Sequence, residues 1–250
     1  MYQLLAALAL WTGEVDRGTL PQLAQAGASA PKPDSVEALV LLAESGDPAA
    51  MTRLGVAYAK GVGVARNPDE ATRWLRMAAN RGVGSNGGAP AAMYNMGQAY
   101  RLGDGVVQDT QEALRWYGEA AMYGEPHALF TLGVMAEDGE GQPKSDKDAL
   151  SWYLEAASKG DVSAMVNVGT MLAAGRGISV FPADLQPSVK AQGPAMAARW
   201  FRMAADKDSP DAMFNLAVLY EHGLGVKKDL VQSRRWFDAA REAKTVKPKP

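Results

Sequence analysis

One tryptophan-centred segment, DTQEALRWYGEAA at residues 109–121, recurs five times in this chain of 250 residues. Its tryptophan returns at spacings of 42, 36, 48 and 36 residues, as Trp74, Trp116, Trp152, Trp200 and Trp236. Self-similarity at about 36 residues is typical of a solenoid, in which each unit buries its apolar face against its neighbours. The sequence therefore predicts stacked units, and a tryptophan that every unit shares indicates packing and not chemistry.

Five units are predicted, and four of them open with proline, which is tolerated in the first turn of a helix because its missing N–H would have no partner there. The units begin near Pro48, Pro90, Pro126, Val162 and Pro210. We predict repeats over residues 48–89 (with a long exit loop), 90–125, 126–161, 162–209 (with an insertion at 178–194) and 210–243, between a helical cap and degenerate half-repeat at 1–47 and a disordered basic tail at 244–250.

Each unit predicts a pair of helices. The first helix carries an apolar residue followed by a small one, at Leu54-Gly55, Met96-Gly97, Leu132-Gly133, Val168-Gly169 and Leu216-Ala217. Glycine inside a helix costs about 1 kcal/mol of helix propensity, so we expect the second helix to approach closely at this column. A neighbouring column is predicted to be core, and it consists of Met51, Met93, Leu129, Met165 and Met213.

The helix ends are also predicted by recurring residues. Each first helix is expected to stop at a Gly-x-Gly sequence, because glycine adopts the left-handed conformation that ends a helix. The second helices are expected to begin at side chains that cap a helix, namely Asn67, Asp109, Ser145 and Asp229, and at Gly193-Pro194 in the fourth unit. None of the glycine pairs completes a phosphate-binding motif.

The first 47 residues predict helices at Tyr2–Trp11, Pro21–Ala26 and Val36–Ser45. The apolar run of eleven residues at the start is too short to cross a bilayer. No Lys or Arg precedes this run, and the first small-residue cleavage site lies far downstream, so a buried helix is favoured over a signal peptide. We therefore favour a cytoplasmic location, and a periplasmic one if the true precursor carries a signal peptide.

The shared columns resemble the SEL-one-like repeat (SLR) family, a relative of the tetratricopeptide repeat. The family pattern, Ala-x3-Leu-Gly-x2-Tyr-x2-Gly-x-Gly-Val followed by Ala-x2-Trp-Tyr-x-Lys-Ala-Ala, matches roughly residues 48–243. This sequence departs from it where the family tyrosine becomes Ala136 and Leu172. The resemblance implies an all-α, right-handed superhelix of about five helix-turn-helix repeats, acting as a protein-binding module.

In related superhelices the first helices line a concave groove that binds peptides, and the resemblance carries this geometry over. Asparagine could clamp a peptide backbone, because its amide both donates and accepts, and aromatic residues could supply anchors. The candidate groove residues are Tyr94, Asn95, Gln98, Arg101, Phe130, Asn167, Phe214, Asn215 and Glu221. Alternatively, the aromatic column packs between adjacent units. In the 178–194 insertion, Phe181 and Leu185 either contact a ligand or fold onto the solenoid.

No catalytic or cofactor-binding constellation emerges from the sequence. The chain has no cysteine, and His127 and His222 lie at non-equivalent columns without a second histidine at metal-ligand spacing. Ser29 and Lys32 match the Ser-x-x-Lys motif of penicillin-recognising enzymes, but they lie in a proline-rich segment. The Ser-Asp-Asn and Lys-Thr-Gly motifs of those enzymes do not accompany them, so the short match is attributed to chance. A net charge of −2 provides no basic field for nucleic acid. We predict neither cofactor, metal, membrane span nor enzymatic activity.

Three functional hypotheses follow. The first is a scaffold or adaptor that binds a partner protein or peptide through the groove, in a bacterial signalling or envelope pathway. The second is an immunity protein that sequesters a secreted toxic effector, a role that some bacterial SLR proteins fill. The third is a β-lactam-binding or hydrolysing enzyme, which the absence of cysteine and of a complete Ser/Lys motif disfavours.

Overall fold

The computed structural model describes residues 35–81 and 88–245. Over these residues the chain forms eleven α-helices and one 3-10 turn (Ile178–Val180), without a strand. The helices are α1 (Val36–Glu44), α2 (Pro48–Lys60), α3 (Pro68–Asn80), α4 (Gly88–Leu102), α5 (Thr110–Met122), α6 (Pro126–Asp138), α7 (Asp146–Ser158), α8 (Val162–Ala173), α9 (Gln186–Ala205), α10 (Pro210–His222) and α11 (Leu230–Thr245).

The helices pack in consecutive pairs, α2 with α3, α4 with α5, α6 with α7, α8 with α9 and α10 with α11. The second helix of each pair then packs on the first helix of the next, and α1 packs on α2 in the same way. The first helices of the first two pairs, α2 and α4, also touch each other. This arrangement is an all-α solenoid, and the predicted fold class is confirmed.

The second helices begin where the capping residues predict. The Asn67 side chain accepts a hydrogen bond from the Glu70 amide at 3.2 Å, and the Ser145 hydroxyl accepts one from the Asp148 amide at 3.2 Å. Asp109 and Asp229 cap α5 and α11 in the same manner. Each cap provides a partner for an amide that the first turn of a helix leaves unpaired.

Close packing within a pair depends on the small column of the first helix. A Cβ added to Gly133 would lie 2.5 Å from the ring of Tyr153, and one added to Gly97 would lie 2.6 Å from the ring of Tyr117. Both tyrosine side chains are fully buried. The predicted close approach of the second helix is therefore confirmed, and it explains why glycine is used inside these helices.

The Gly-x-Gly turns also join each unit to the one before it. The φ angles of Gly103 and Gly105 are +71° and +75°, a conformation that L-residues with a side chain rarely adopt. A Cβ on Gly105 would overlap the carbonyl oxygen of Pro68, at the start of the preceding second helix. The turn therefore needs glycine both for its backbone conformation and for its contact with the neighbouring unit.

The predicted core column is buried in every unit, at Met51, Met93, Leu129, Met165 and Met213. The repeated tryptophans pack against the same core: Trp74 and Trp116 are 7% exposed, and the other three are half-buried. Three of the tryptophan rings lie against an arginine guanidinium. The Cζ atom of Arg115, for example, lies 4.6 Å from the centre of the Trp116 ring. The tryptophan column is thus part of the scaffold.

The second helix of the fourth unit begins earlier than predicted. We expected its start at Gly193-Pro194, but α9 begins at Gln186 and carries Pro194 in its interior. The register of the unit is nevertheless regular, because Gly225 of the next turn contacts Pro194 just as Gly105 contacts Pro68. The insertion at 178–194 is therefore not one loop: its second half adds about two helical turns before the regular start.

Several predicted segments lie outside the described residues. These are the helices at Tyr2–Trp11 and Pro21–Ala26, the Ser29–Lys32 motif and most of the loop after the first unit. Helix α1 lies where a helix is predicted at Val36–Ser45, with Ser45 as its C-cap. At the other end, α11 extends to Thr245, two residues into the segment predicted as a disordered tail.

Candidate functional site

The predicted groove residues of α4 are engaged within the fold. The Tyr94 ring lies 5.7 Å from the Tyr117 ring of its own unit and 5.7 Å from the His127 ring of the next. Its hydroxyl accepts a hydrogen bond from Gln98 at 2.7 Å. Asn95 donates its amide N–H to the carbonyl oxygen of Ala91, 2.7 Å away in the same helix. At Tyr94 the structure therefore shows packing between units, which was the alternative prediction.

Arg101 forms an ion pair between units. Its guanidinium donates two hydrogen bonds of 2.7 Å to the two carboxylate oxygens of Glu140, in the turn after α6. These hydrogen bonds hold the pKa of Glu140 below its usual value and raise the pKa of Arg101. A bidentate pair of this kind is directional as well as attractive, so it fixes the position of one unit on the next.

The same contact recurs at the next junction with its charges reversed. Glu137 of α6 accepts a hydrogen bond of 2.8 Å from Arg176, which also pairs with Asp146. The Tyr153 hydroxyl donates to Glu137 at 2.9 Å, and burial, followed by this hydrogen bond, raises the tyrosine pKa. Arg176 in turn holds the pKa of Asp146 below its usual value through its hydrogen bonds.

These ion pairs between units were not predicted, although the sequence contains a signal for them. Arg101 and Glu140 are 39 residues apart, and so are Glu137 and Arg176. Opposite charges at one offset in successive units indicate a contact between units. The offset becomes visible only when two different columns are compared across neighbouring repeats.

Phe130 and Asn167 also contact the interior. The Phe130 ring lies 5.7 Å from the Tyr153 ring, and the nearby Asn167 side chain acts to lower the pKa of Tyr153, against the larger effect of burial. Both residues are half-buried. They support the buried hydroxyl of Tyr153 and present only part of their surface to solvent.

In the fifth unit, the residues of the same columns have fewer partners within the fold. Phe214 is 49% exposed, and one side of its ring packs edge-on against Phe237 at 5.3 Å. Within the described residues the half-buried Asn215 makes no side-chain hydrogen bond, and the Nε2 atom of His222 lies 3.9 Å from the Glu221 carboxylate. No unit follows α11 in the described part of the chain to cover these positions, as α6 covers Tyr94.

These open columns border a cleft between α10 and α11, here called the C-terminal cleft, with a volume of 640 Å³. Its walls combine an aromatic pair with charges of both signs, and they include Phe214, Glu221, Leu230, Arg234, Phe237 and Arg241. Cavities of this size are in the range that binds small molecules or a few side chains of a partner. Two of the predicted site residues, Phe214 and Glu221, are therefore brought together here.

A smaller cavity of 80 Å³ lies at the junction of the first two pairs, and its lining includes Asn95 and Gln98. Val56, Leu75 and Leu102 are the larger apolar residues of its lining. It can hold no more than a small side chain. The two predicted residues are thus near a depression, but their side-chain donors are already used by Ala91 and Tyr94.

The two predicted loop residues differ from each other. Phe181 is half-buried and packs against the hydrophobic core, and its carbonyl oxygen accepts a hydrogen bond of 2.9 Å from Gln186. Leu185 immediately precedes α9 and is 49% exposed. Phe181 thus folds onto the solenoid, which was one of the two alternatives, while Leu185 faces solvent.

The described residues contain no cluster of three or more His, Asp or Glu that could hold a metal ion. His127 and His222 are both exposed. Among the helices described, none has both the length and the apolar character needed to cross a membrane.

A solenoid of helix pairs with repeated tryptophan, glycine and alanine columns defines a class of repeat protein. The Sel1 repeat profile matches this chain at residues 48–83, 90–124, 126–161, 187–209 and 210–244. The chain belongs to the Sel1 repeat family, which confirms the resemblance seen in the sequence. Proteins of this family typically bind other proteins and are generally non-enzymatic scaffolds. The limits of the individual units, as predicted from sequence, stay a prediction.

Among solved structures, a Sel1 repeat protein from Oxalobacter formigenes is 28% identical with a TM-score of 0.70, over 84% of this chain and 80% of that one. An immunity protein from Pseudomonas aeruginosa is 18% identical with a TM-score of 0.50, over 88% of this chain and 78% of that one, a likeness that shows the fold alone. Protein sel-1 homolog 2 of Mus musculus is 56% identical over 45 residues, which is 18% of this chain and 6% of the mouse protein.

Proposed function

We propose that this protein is an interaction scaffold that binds a segment of a partner protein, and that binding is concentrated in the C-terminal cleft. One observation carries this proposal. The aromatic and charged columns predicted to bind a partner are used for contacts within the fold in the second and third units, whereas Phe214 and Glu221 border an open cleft in the last.

The chemistry of the cleft suits a partner that offers both an apolar and a basic side chain. Phe214 and Phe237 provide an exposed aromatic surface, and aromatic residues commonly dominate the binding energy of interfaces. Glu221 occupies the column of Glu137, whose partner in the interior is Arg176. A basic residue of the partner would therefore complete an ion pair at Glu221, and the Asn215 amide could pair with the partner backbone.

The proposal is tested by affinity capture from the native host, comparing the unmodified chain with Phe214→Ser and with a control. Met122→Ser is the matched control, because Met122 is 83% exposed and lies on α5, away from the cleft. We expect one partner protein that the unmodified chain and the control both retain. The amount recovered with Phe214→Ser should be at least tenfold lower. Equal retention by both variants would show that the cleft is not the binding site.

The immunity role is an alternative identity for the same partner. If the captured partner is a secreted toxic effector, the chain should neutralise its toxicity, and Phe214→Ser should not. The enzymatic alternative has a separate test, since a β-lactamase would hydrolyse nitrocefin. We expect no hydrolysis, because no catalytic constellation emerges from the sequence.

A further inference from the structure

Helix α1 has the position of a second helix in a unit that precedes the five pairs. It begins at Val36, and a Cβ on Gly63 would lie 2.9 Å from the Val36 side chain, matching the contact of Gly105 with Pro68 at the start of α3. At its other end, the carbonyl oxygen of Gly46 accepts a hydrogen bond from Arg81 at the end of α3. Both ends of α1 are therefore in register with the second helices that follow.

Every other second helix in the described chain packs on a first helix of its own unit, whereas the described residues contain no such first helix for α1, which packs on α2, the helix that follows it. Its side toward α2 is buried at Leu39 and Ala43. Another side carries Leu41 and Leu42, which are 51% and 47% exposed. Leu41 and Leu42 are adjacent, so they form an exposed apolar surface of the kind that a neighbouring helix covers in a helix pair.

We propose that residues Tyr2–Trp11 supply this missing first helix and pack on Leu41 and Leu42. The sequence places Leu4, Leu8 and Trp11 at i, i+4 and i+7, the spacing of one helix face. No Asp, Glu, Lys or Arg occurs before Glu14, so the segment matches an apolar surface and not a charged one.

The connecting chain is long enough for this arrangement. Residues 12–34 provide 23 residues between the segment and the N-cap of α1. Fully extended, they span up to about 76 Å, whereas a helix of the length of α2 is only about 20 Å long. The segment can therefore reach α1 in either direction, and this inference is independent of the C-terminal cleft.

The absence of cysteine from the sequence allows a direct test by the reactivity of a single introduced thiol. Leu42→Cys is placed in the full chain, alone and together with Leu4→Asp and Leu8→Asp, and its reaction rate with a maleimide is measured. We expect Leu42→Cys to react at least tenfold more slowly in the chain that keeps Leu4 and Leu8 than in the chain that carries the two aspartates. Leu41→Cys is a second reporter if Leu42→Cys lowers the thermal midpoint of unfolding.

Val107→Cys serves as the control, because Val107 is 87% exposed in the turn after α4. Its labelling rate should be the same with and without the aspartates, which excludes a general loss of the fold. Equal, rapid labelling of Leu42→Cys and Leu41→Cys with and without the aspartates would overturn the proposal. Protection that disappears on dilution would also overturn it, since a second copy would then be the occupant.

Discussion

At the scale of single residues, the contact between a glycine and an aromatic ring sets the spacing of each pair. Gly133 and Tyr153 are the clearest example, because the Tyr153 side chain is fully buried and cannot move aside. Interiors are packed so densely that one additional methyl group is felt. The ring also positions a hydroxyl that reaches Glu137, so this packing contact supports the ion pairs of the next junction.

Gly133→Ala should therefore destabilise the protein although alanine is the better helix former. The added Cβ would lie 2.5 Å from the ring, so the cost should reach the upper end of the roughly 1–3 kcal/mol that overpacking takes. The gain in helix propensity offsets about 1 kcal/mol of this cost. We expect a net loss of about 2 kcal/mol in the free energy of unfolding by urea.

Gly118→Ala is the matched control, because Gly118 lies inside α5 and a Cβ there has nothing within 4 Å. Only the higher helix propensity of alanine remains, so the free energy of unfolding of this variant should rise by up to about 1 kcal/mol. If both variants change the stability in the same direction and by the same amount, the close approach is not a constraint.

At the scale of the helices, local signals in the sequence determine where each element begins. The Ser145 hydroxyl caps α7, and replacing such a cap by alanine typically costs about 1 kcal/mol. We expect this loss for Ser145→Ala in urea unfolding. Ser151→Ala, at an exposed position inside the same helix, should be neutral or slightly stabilising. If the cap did not contribute to stability, the two variants would have the same free energy of unfolding.

Helices of neighbouring units are fixed to each other by the Arg101–Glu140 pair, and its contribution should depend on pH. The folded-state pKa of Glu140 is lowered from an ordinary value of 4.5, mainly by its hydrogen bond to Arg101. Stability from such a carboxylate is complete above its unfolded-state pKa and is lost as the pH falls through its folded-state pKa.

Arg101→Gln should therefore lower the free energy of unfolding at pH 7 by about 1 kcal/mol, the upper end for a partly exposed pair. The difference from the unmodified chain should shrink as the pH is lowered below 4.5. Urea unfolding at pH 7 and pH 3 measures both values. A difference that is the same at the two pH values would contradict a role for the ionised carboxylate.

At the scale of the whole molecule, the repeats made most of the fold predictable. The columns of Trp116, Gly133 and Met165 mark positions that every unit must fill alike, so five weak patterns reinforce one another. The start of α9 was mispredicted because Gly193-Pro194 resembles a helix start, while the seven residues before it already belong to the same helix. Nothing in a repeat pattern reports such an extension.

The candidate site was less predictable, because exposure depends on neighbours and not on a residue's own column. Tyr94 and Phe214 occupy the same column, yet the next unit covers Tyr94 while Phe214 stays half exposed. Arg101 and Glu137 similarly gained partners from the following units. The sequence places these residues in shared columns, but it does not report which unit leaves a column exposed, and their role in binding stays a prediction.

The most direct test of this account compares the two phenylalanines of that column by their free energies of unfolding in urea. Phe130 packs on the buried Tyr153, so Phe130→Ala should lose about 2–3 kcal/mol. Phe214 is 49% exposed, so Phe214→Ala should lower the free energy of unfolding by about 1 kcal/mol or less. Losses of equal size would contradict the account, because Phe214 would then be part of the core and not a surface held open for a partner.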